Sequence, residues 1–298
     1  MESATEAARR TAAQAILTAA AAEGRTALLE HEVYGVLDAF GIATPRHRFL
    51  PAGALLSDAD LQAVAALGEE VVLKICSEHI AHKSDVGGVR VVASDSASLR
   101  ASVAAMLDEV PRCFGERFRG QSATVRGVLA VEKVAFERAG LGSELLVACR
   151  HSREFGPVLT LGIGGVDTEW IGASSRRGRA IASQGLDSAT PESLLDGFES
   201  TLAIERLLGR VRGARPLVTR DELIALFRGL SRLAALTAGD LRVAELEINP
   251  FAVCQGRLVA LDGLLRLGGR VGEEDAIEGE EPQADERGTE ADDPDQVF

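Results

Sequence analysis

A lysine in the middle of an apolar run is the first residue of this chain that asks for a chemical explanation. Lys74 interrupts Val71-Val72-Leu73-Lys74-Ile75-Cys76, and a lysine withdrawn from water needs an anionic partner, either a carboxylate or a bound phosphate. On an edge strand it could instead extend its ammonium to solvent. Within the next fourteen residues come His79, His82, Lys83, Ser84, Asp85, Gly87 and Gly88, before an extended pattern resumes at Val89. A loop with a second lysine and a terminal glycine pair, Gly87-Gly88, lets the backbone approach a ligand closely and can close over phosphates. A solvated hairpin loop would look much the same.

A second group of polar residues lies near the other end. In Arg242-Val-Ala-Glu-Leu-Glu-Ile-Asn249-Pro250, strict alternation sends Ala244, Leu246 and Ile248 to one side and Glu245, Glu247 and Asn249 to the other. If Gln255-Gly256 is a two-residue turn, Cys254 pairs with Arg257 and Asn249 falls opposite Asp262, since 254 + 257 = 249 + 262. One amide oxygen and one carboxylate across a hairpin are hard ligands of the kind Mg²⁺ takes alongside water and substrate phosphates. An acidic, solvent-facing strand edge is the plainer alternative. Glu132 and Glu144 sit at strand ends, where solvation is their ordinary role. Gly162-Ile163-Gly164-Gly165-Val166-Asp167 lacks the Gly-Lys-Ser/Thr of a P-loop and the third glycine of a dinucleotide fingerprint. It reads as a tight strand-to-strand passage near a ligand. No zinc spacing, His-Glu-x-x-His or Gly-x-Ser-x-Gly is present.

The elements that must position these residues follow from periodicity. Helices are expected over 5–22, 28–40, 57–67, 96–114, 191–208 and 220–238, and strands over 47–50, 70–76, 89–93, 125–134, 144–150, 158–161 and 168–171, with a hairpin over 242–262. Their irregular alternation indicates an α/β (α+β) chain in two lobes rather than a regular βαβ wind. The formal charge is −13, but residues 270–298 hold twelve Asp/Glu against two Arg, so −10 of it lies in that segment. The remainder is nearly neutral, which argues against nucleic acid as a partner. From residue 271 on, the acidic composition predicts a disordered tail. Four scattered cysteines predict reduced thiols. With neither a signal-peptide pattern nor an apolar run of about 20 residues, the expected location is cytoplasmic, away from membranes.

Five stretches, in order, resemble the ATP-grasp domain of the nucleoside-diphosphate-forming acyl-CoA synthetases (ADP-forming acetate–CoA ligases) and, more distantly, the β subunit of succinyl-CoA synthetase. They are EGRTALLEHEVYGVLDAFGIATP (23–45), VVLKICSEHIAHKSDVGGVRV (71–91), GVLAVEKV (127–134), ELLVACRHSREFGPVLTLGIGGVDTEW (144–170) and ELEINPFAVCQGRLVALDG (245–263). The resemblance implies an ATP-grasp fold whose two lobes hold nucleotide between them. It divides the chain into an N-terminal helix (1–23), a small lobe with its preceding helix (24–120), a large lobe (121–270) and the acidic tail (271–298). Lys74 and Lys83 are then placed to hold ATP phosphates beside Gly87 and Gly88, Glu132 with the backbone of Lys133 and Val134 to read adenine, and Glu144 to hold the ribose. Asn249 and Asp262 match Mg²⁺ ligands, with Glu247 a third candidate. His82 matches a histidine that carries a phosphoryl group between nucleotide and acyl-CoA sites, chemistry suited to an imidazole that is neutral and nucleophilic near pH 7. The implied reaction is acyl-CoA + ADP + phosphate = carboxylic acid + CoA + ATP. It requires a separate α subunit with CoA-binding and ligase domains, which would also meet the acyl substrate. A nucleotide-binding regulatory module and a free-standing ATP-grasp carboxylate ligase are the alternatives.

Overall fold

The computed structural model describes residues 4–80, 82–136, 144–152, 154–165 and 178–270. The chain opens with α1 (Ala4–Ala22), built largely from alanine, the best helix former. In α2 (Glu30–Ala39) the buried residues are Glu30, Val33, Tyr34, Val36 and Leu37. Its start is fixed by Glu32, whose carboxylate accepts the Leu29 N–H at 2.7 Å and both terminal nitrogens of the buried Arg25 at 2.8 and 2.7 Å.

Four antiparallel strands make the first sheet: β1 (His47–Pro51), β2 (Glu70–Cys76), β3 (Val89–Ala93) and β4 (Gly127–Glu132), in the order β1-β4-β2-β3. On one face Val71, Leu73, Ile75, Val128 and Ala130 pack against α3 (Asp58–Ala65) and α4 (Ser96–Arg117). Strand alternation turns Val72, Lys74 and Cys76 to the other face, where Cys76, Leu129 and Val131 join the core of the second sheet. Lys74 therefore points toward the other lobe.

The second sheet comprises β5 (Glu144–Ser152), β6 (Gly156–Ile163), β7 (Ile181–Gly185), β8 (Thr237–Ala238), β9 (Leu241–Cys254), β10 (Arg257–Ala260) and β11 (Gly263–Arg270). Its order is β10-β9-β5-β6-β7, with β8 and β11 also paired to β9. Helices α5 (Pro191–Phe198), α6 (Leu202–Leu207) and α7 (Arg220–Ala234) bury Leu195, Phe198, Ile204, Phe227 and Leu230 in its core. No helix among the described residues is long and apolar enough to cross a membrane.

Three expectations need correction. The lobe boundary does not fall at 121, because β4 inserts between β1 and β2 with both faces covered, so the passage between sheets comes after Glu132. Helices α1 and α2 pack with the large lobe's core. The helix expected over 191–208 is two, broken where the Thr201 hydroxyl donates to the Phe198 carbonyl at 2.7 Å and caps α6. The expected strand over 168–171 and the acidic tail lie outside the described residues.

The glycines before the lobe interface pack backbone against backbone. Gly164 donates its N–H to the Glu144 carbonyl at 2.8 Å, and a Cβ there would lie 2.4 Å from the Leu145 carbonyl carbon and 2.5 Å from its oxygen. Gly164→Ala must force β6 away from β5 and should cost about 1–3 kcal/mol. Chemical denaturation should show this as a lowered midpoint with an unchanged slope.

Candidate functional site

Lys74 finds its anion in a residue that the sequence reading passed over. Its Nζ donates to Glu30 Oε1 at 2.5 Å and to the Leu261 carbonyl at 2.6 Å, with the Tyr34 hydroxyl 3.3 Å away. Lys83 Nζ lies 3.1 Å from Glu30 Oε2 and donates to Asp262 Oδ1 at 3.1 Å. One carboxylate thus meets a lysine on each of its oxygens. The Tyr34 hydroxyl, 2.7 Å from Glu30 Oε1 and 2.6 Å from the Leu261 oxygen, completes the cluster.

The exposures of Glu30 and Lys74, 4% and 8%, make the electrostatics consequential. Burial alone would raise the Glu30 pKa, but the Lys74 and Lys83 charges reverse this and hold it down to about 2. Burial also opposes the Lys83 charge, and Glu30 and Asp262 outweigh it, raising that pKa. Asp262 is raised by burial and by Glu30 against the pull of both lysines. Cys76, buried behind the cluster, is pushed up to about 12 by burial and Glu30, so it is no nucleophile at neutral pH.

The hairpin places Asn249 and Asp262 as the turn geometry implies. Cys254 pairs with Arg257 and Phe251 with Ala260, and the same register resumes at Ile248–Gly263. Asn249 and Asp262 therefore face each other in the gap between two ladder segments. On the opposite side of β9, Leu145 pairs with Phe251 but Val147 with Ile248, so a bulge at Asn249-Pro250 re-aims the asparagine. A second bulge near Ala244 sends Val243, not the expected Ala244, into the core. Asn249 Oδ1 accepts the Gly165 N–H at 3.1 Å, with Gly165 at φ +81, and keeps one lone pair for another partner. Among the described residues no group of three or more His, Cys, Asp or Glu could hold a metal alone. An amide oxygen and a carboxylate nevertheless fit Mg²⁺, which keeps several waters and shares substrate phosphates. The Lys83 ammonium already stands as a cation beside Asp262.

Other expected site residues scatter. His82 is exposed at the head of a single 3₁₀ turn, Lys83–Val86. Gly87, at φ +70, ends that turn. A Cβ on Gly88 would come within 2.7 Å of Ile75 Cγ2 and 2.8 Å of the Lys83 carbonyl oxygen. The glycine pair thus folds the Lys83 turn onto β2. Glu132 is bound by Arg46, which donates its backbone N–H at 2.8 Å and its Nε at 2.7 Å, leaving the carboxylate committed to the small lobe. Lys133 reaches Glu70 at 2.6 Å, and Val134 follows in the passage to the large lobe. Glu144 opens β5 with its carboxylate against Gly165. Glu247 lies between Ala148 and Leu264 in the sheet, two residues from Asn249. The cluster therefore unites Lys74, Lys83 and Asp262, with Asn249 facing Asp262 across the hairpin. A signal for Glu30 did exist: with Val33, Tyr34 and Leu37 it occupies i, i+3, i+4 and i+7 of a buried helical stripe, an odd place for an unpaired acid.

A family model described as an ATP-grasp domain matches residues 19–267. The 4-hydroxybutyrate–CoA ligase (ADP-forming) of Nitrosopumilus maritimus is 28% identical over 78% of this chain, which spans only 29% of that relative's length. The β subunit of acetate–CoA ligase (ADP-forming) I of Pyrococcus furiosus is 26% identical over 86% of this chain and 97% of its own. The fold is shared by the dinucleotide forming acetyl-coenzyme A synthetase 1 of Ca. Korarchaeum cryptofilum, at a TM-score of 0.59 and 24% identity over 86% of this chain and 100% of that one. That structure holds coenzyme A and Mg-AMPPCP, with its phosphohistidine segment pointing towards the nucleotide binding site.

The buried cluster also dictates an acid response. Because the Glu30 pKa falls from 4.5 to about 2 on folding, its ionised form contributes stability above pH 4.5, and this is lost as pH falls toward 2. Urea unfolding between pH 6 and pH 3 should show a steeper loss for the wild-type chain than for Glu30→Gln, which has no such proton to take up.

Proposed function

The chain belongs to the ATP-grasp domain family, and on that premise we propose that it is the nucleotide-binding β-type subunit of an ADP-forming acyl-CoA synthetase. The observation that carries this reading is the convergence of Lys74 and Lys83 with Asp262 at the seam between the two sheets. The relatives support it, since they are ADP-forming CoA ligases and one of them is a β subunit of nearly the same extent. The reaction is acyl-CoA + ADP + phosphate = carboxylic acid + CoA + ATP. The CoA-binding and ligase domains reside on a separate α subunit, which selects the acyl group. The free cysteines fit a reducing compartment, and we place the protein in the cytoplasm.

Phosphoryl transfer asks a protein mainly for positioning and for cations where charge is spread. Lys74 and Lys83 supply two such cations, each on a side chain fixed at its far end. Asn249 and Asp262, with Glu247 nearby, would hold Mg²⁺, which when bound would draw charge from the phosphate oxygens. Glu144 receives the ribose hydroxyls, and the backbone of Glu132, Lys133 and Val134 receives adenine. The Glu132 side chain takes no part, because Arg46 occupies it. In the ATP-consuming direction a neutral His82 ring nitrogen attacks the γ-phosphorus; the N–P bond forms as the bond to ADP breaks. His82 projects into solvent from a loop whose anchor is Lys83, as suits a carrier that serves two sites.

With Mg²⁺, γ-labelled ATP and the α partner, the chain should form an acid-labile phosphohistidine that His82→Asn abolishes. Lys74→Met should weaken ATP binding by at least tenfold, read by isothermal titration calorimetry. Tight ATP binding with no label under any partner condition would sink the relay and leave a nucleotide-binding regulatory module.

A further inference from the structure

The chain has only three lysines, Lys74, Lys83 and Lys133, among its 32 basic residues; everywhere else it uses arginine. Two of the three end on a single carboxylate that no expected role accounts for. We propose that Glu30 is a positioning residue of the phosphoryl-transfer site, holding the Lys74 and Lys83 ammonium groups side by side and tying them to the Asp262 hairpin. This rests on the reading of the site as a nucleotide site.

The geometry supports a positioning role in three ways. First, Glu30 binds on both oxygens, Lys74 at 2.5 Å through Oε1 and Lys83 at 3.1 Å through Oε2, so neither lysine can shift without disturbing the other. Second, the donor count leaves room for substrate. An ammonium has three N–H donors. Lys74 directs its three to Glu30, Leu261 and, at a longer 3.3 Å, the Tyr34 hydroxyl, whereas Lys83 hydrogen-bonds Asp262 and meets Glu30 as an ion pair. Lys83 therefore keeps an N–H for a phosphate oxygen without leaving its anchor, and Lys74 can offer the N–H of its longest bond, to Tyr34, while staying on Glu30 and Leu261. Third, the charges balance: two lysines face Glu30 and Asp262 at net zero, and a divalent cation at Asp262 leaves an excess of two positive charges for the nucleotide. Glu30 reaches this position from α2, which packs on the large lobe, whereas both lysines belong to the small lobe. The carboxylate therefore sets the spacing of the two cations and their distance from the metal ligands together.

The test uses the full chain with its α partner and the variants Glu30→Gln and Glu30→Asp. Three readouts are taken: binding of ADP with MgCl₂ by isothermal titration calorimetry, the rate of phosphohistidine formation from ATP with MgCl₂, and the ζ-ammonium signals of ¹⁵N-lysine-labelled protein. Wild-type Lys74 and Lys83 should give slowly exchanging ammonium signals, and the more exposed Lys133 should not. Glu30→Gln should lose both signals and slow phosphohistidine formation at least tenfold, while binding ADP within threefold of wild type. Glu30→Asp, which keeps the charge, should retain the Lys74 signal and recover part of the rate. Retention of both lysine signals in Glu30→Gln, or affinity and rate falling by the same factor, overturns the proposal. Should the wild-type chain form no phosphohistidine, the functional reading fails while the lysine signals still decide the role of Glu30. Should Glu30→Gln not fold, Glu30→Asp decides: loss of one lysine signal with slowed transfer supports the proposal, and no change in either overturns it.

Discussion

A carboxylate almost wholly withdrawn from water must be met by cations, and Glu30 is met by two. Desolvating an ion costs several kcal/mol even after the protein relaxes, and a single partner often fails to return that cost. Two ammonium groups, one on each oxygen, with a tyrosine hydroxyl beside them, return enough to hold the acid ionised down to pH about 2. The consequence is architectural. Glu30 comes from a helix of the large lobe, Lys74 from the second strand of the small sheet, Lys83 from the turn after it, and Leu261 and Asp262 from the hairpin that closes the large sheet. Four segments from three separate regions of the sequence are fixed at one point because none of their charges can be left alone there.

The hairpin answers the same demand by a different means. β9 is paired on both sides, so its side chains have little freedom except where the ladders break. Both ladders break around Asn249-Pro250: β10 gives way to β11 on one side, and the β5 pairing slips by a residue on the other. That slip frees the asparagine from strict alternation and turns its carbonyl oxygen to the Gly165 N–H. The glycines that follow β6 serve this packing, since Gly164 lets the chain touch β5 backbone to backbone before Gly165 turns. The glycine-rich stretch, which lacks both nucleotide-loop signatures and reads in the sequence as a tight strand-to-strand passage, packs closely against β5 beside the polar hairpin.

These two regions also divide what was legible in the sequence from what was not. The Asn249–Asp262 register could be read because a two-residue turn fixes every pairing that follows it, and a local rule is enough. The bulge at Ala244 was invisible, because strict alternation carries no mark of an inserted residue. Glu30 was invisible for another reason: its partner Lys74 lies 44 residues away, and a charge on a helix start reads by default as a favourable N-terminal acid. Only its place on an otherwise apolar stripe hinted at burial. The lobe boundary failed similarly, since β4 is apolar on both faces and alternation alone cannot say which sheet such a strand joins. The lysines could be singled out by their surroundings, but not their shared counter-ion.

The use of lysine at this point is itself informative. Arginine supplies nearly all the chain's cations, and its planar fork would satisfy both oxygens of Glu30 in one bidentate pair. That arrangement would be stronger as a structural bridge, but it would exclude a second cation from the carboxylate. Lysine is a compact charge on a flexible stem, with donors that point in three directions. Two lysines can share one carboxylate, and one of them, Lys83, can lean as well on the residue that faces Asn249 across the hairpin and still have an N–H to offer. A cluster built only for stability has no need of that spare donor. The choice of lysine at 74 and 83 therefore points to a site arranged to receive an anion in addition to the one it already holds.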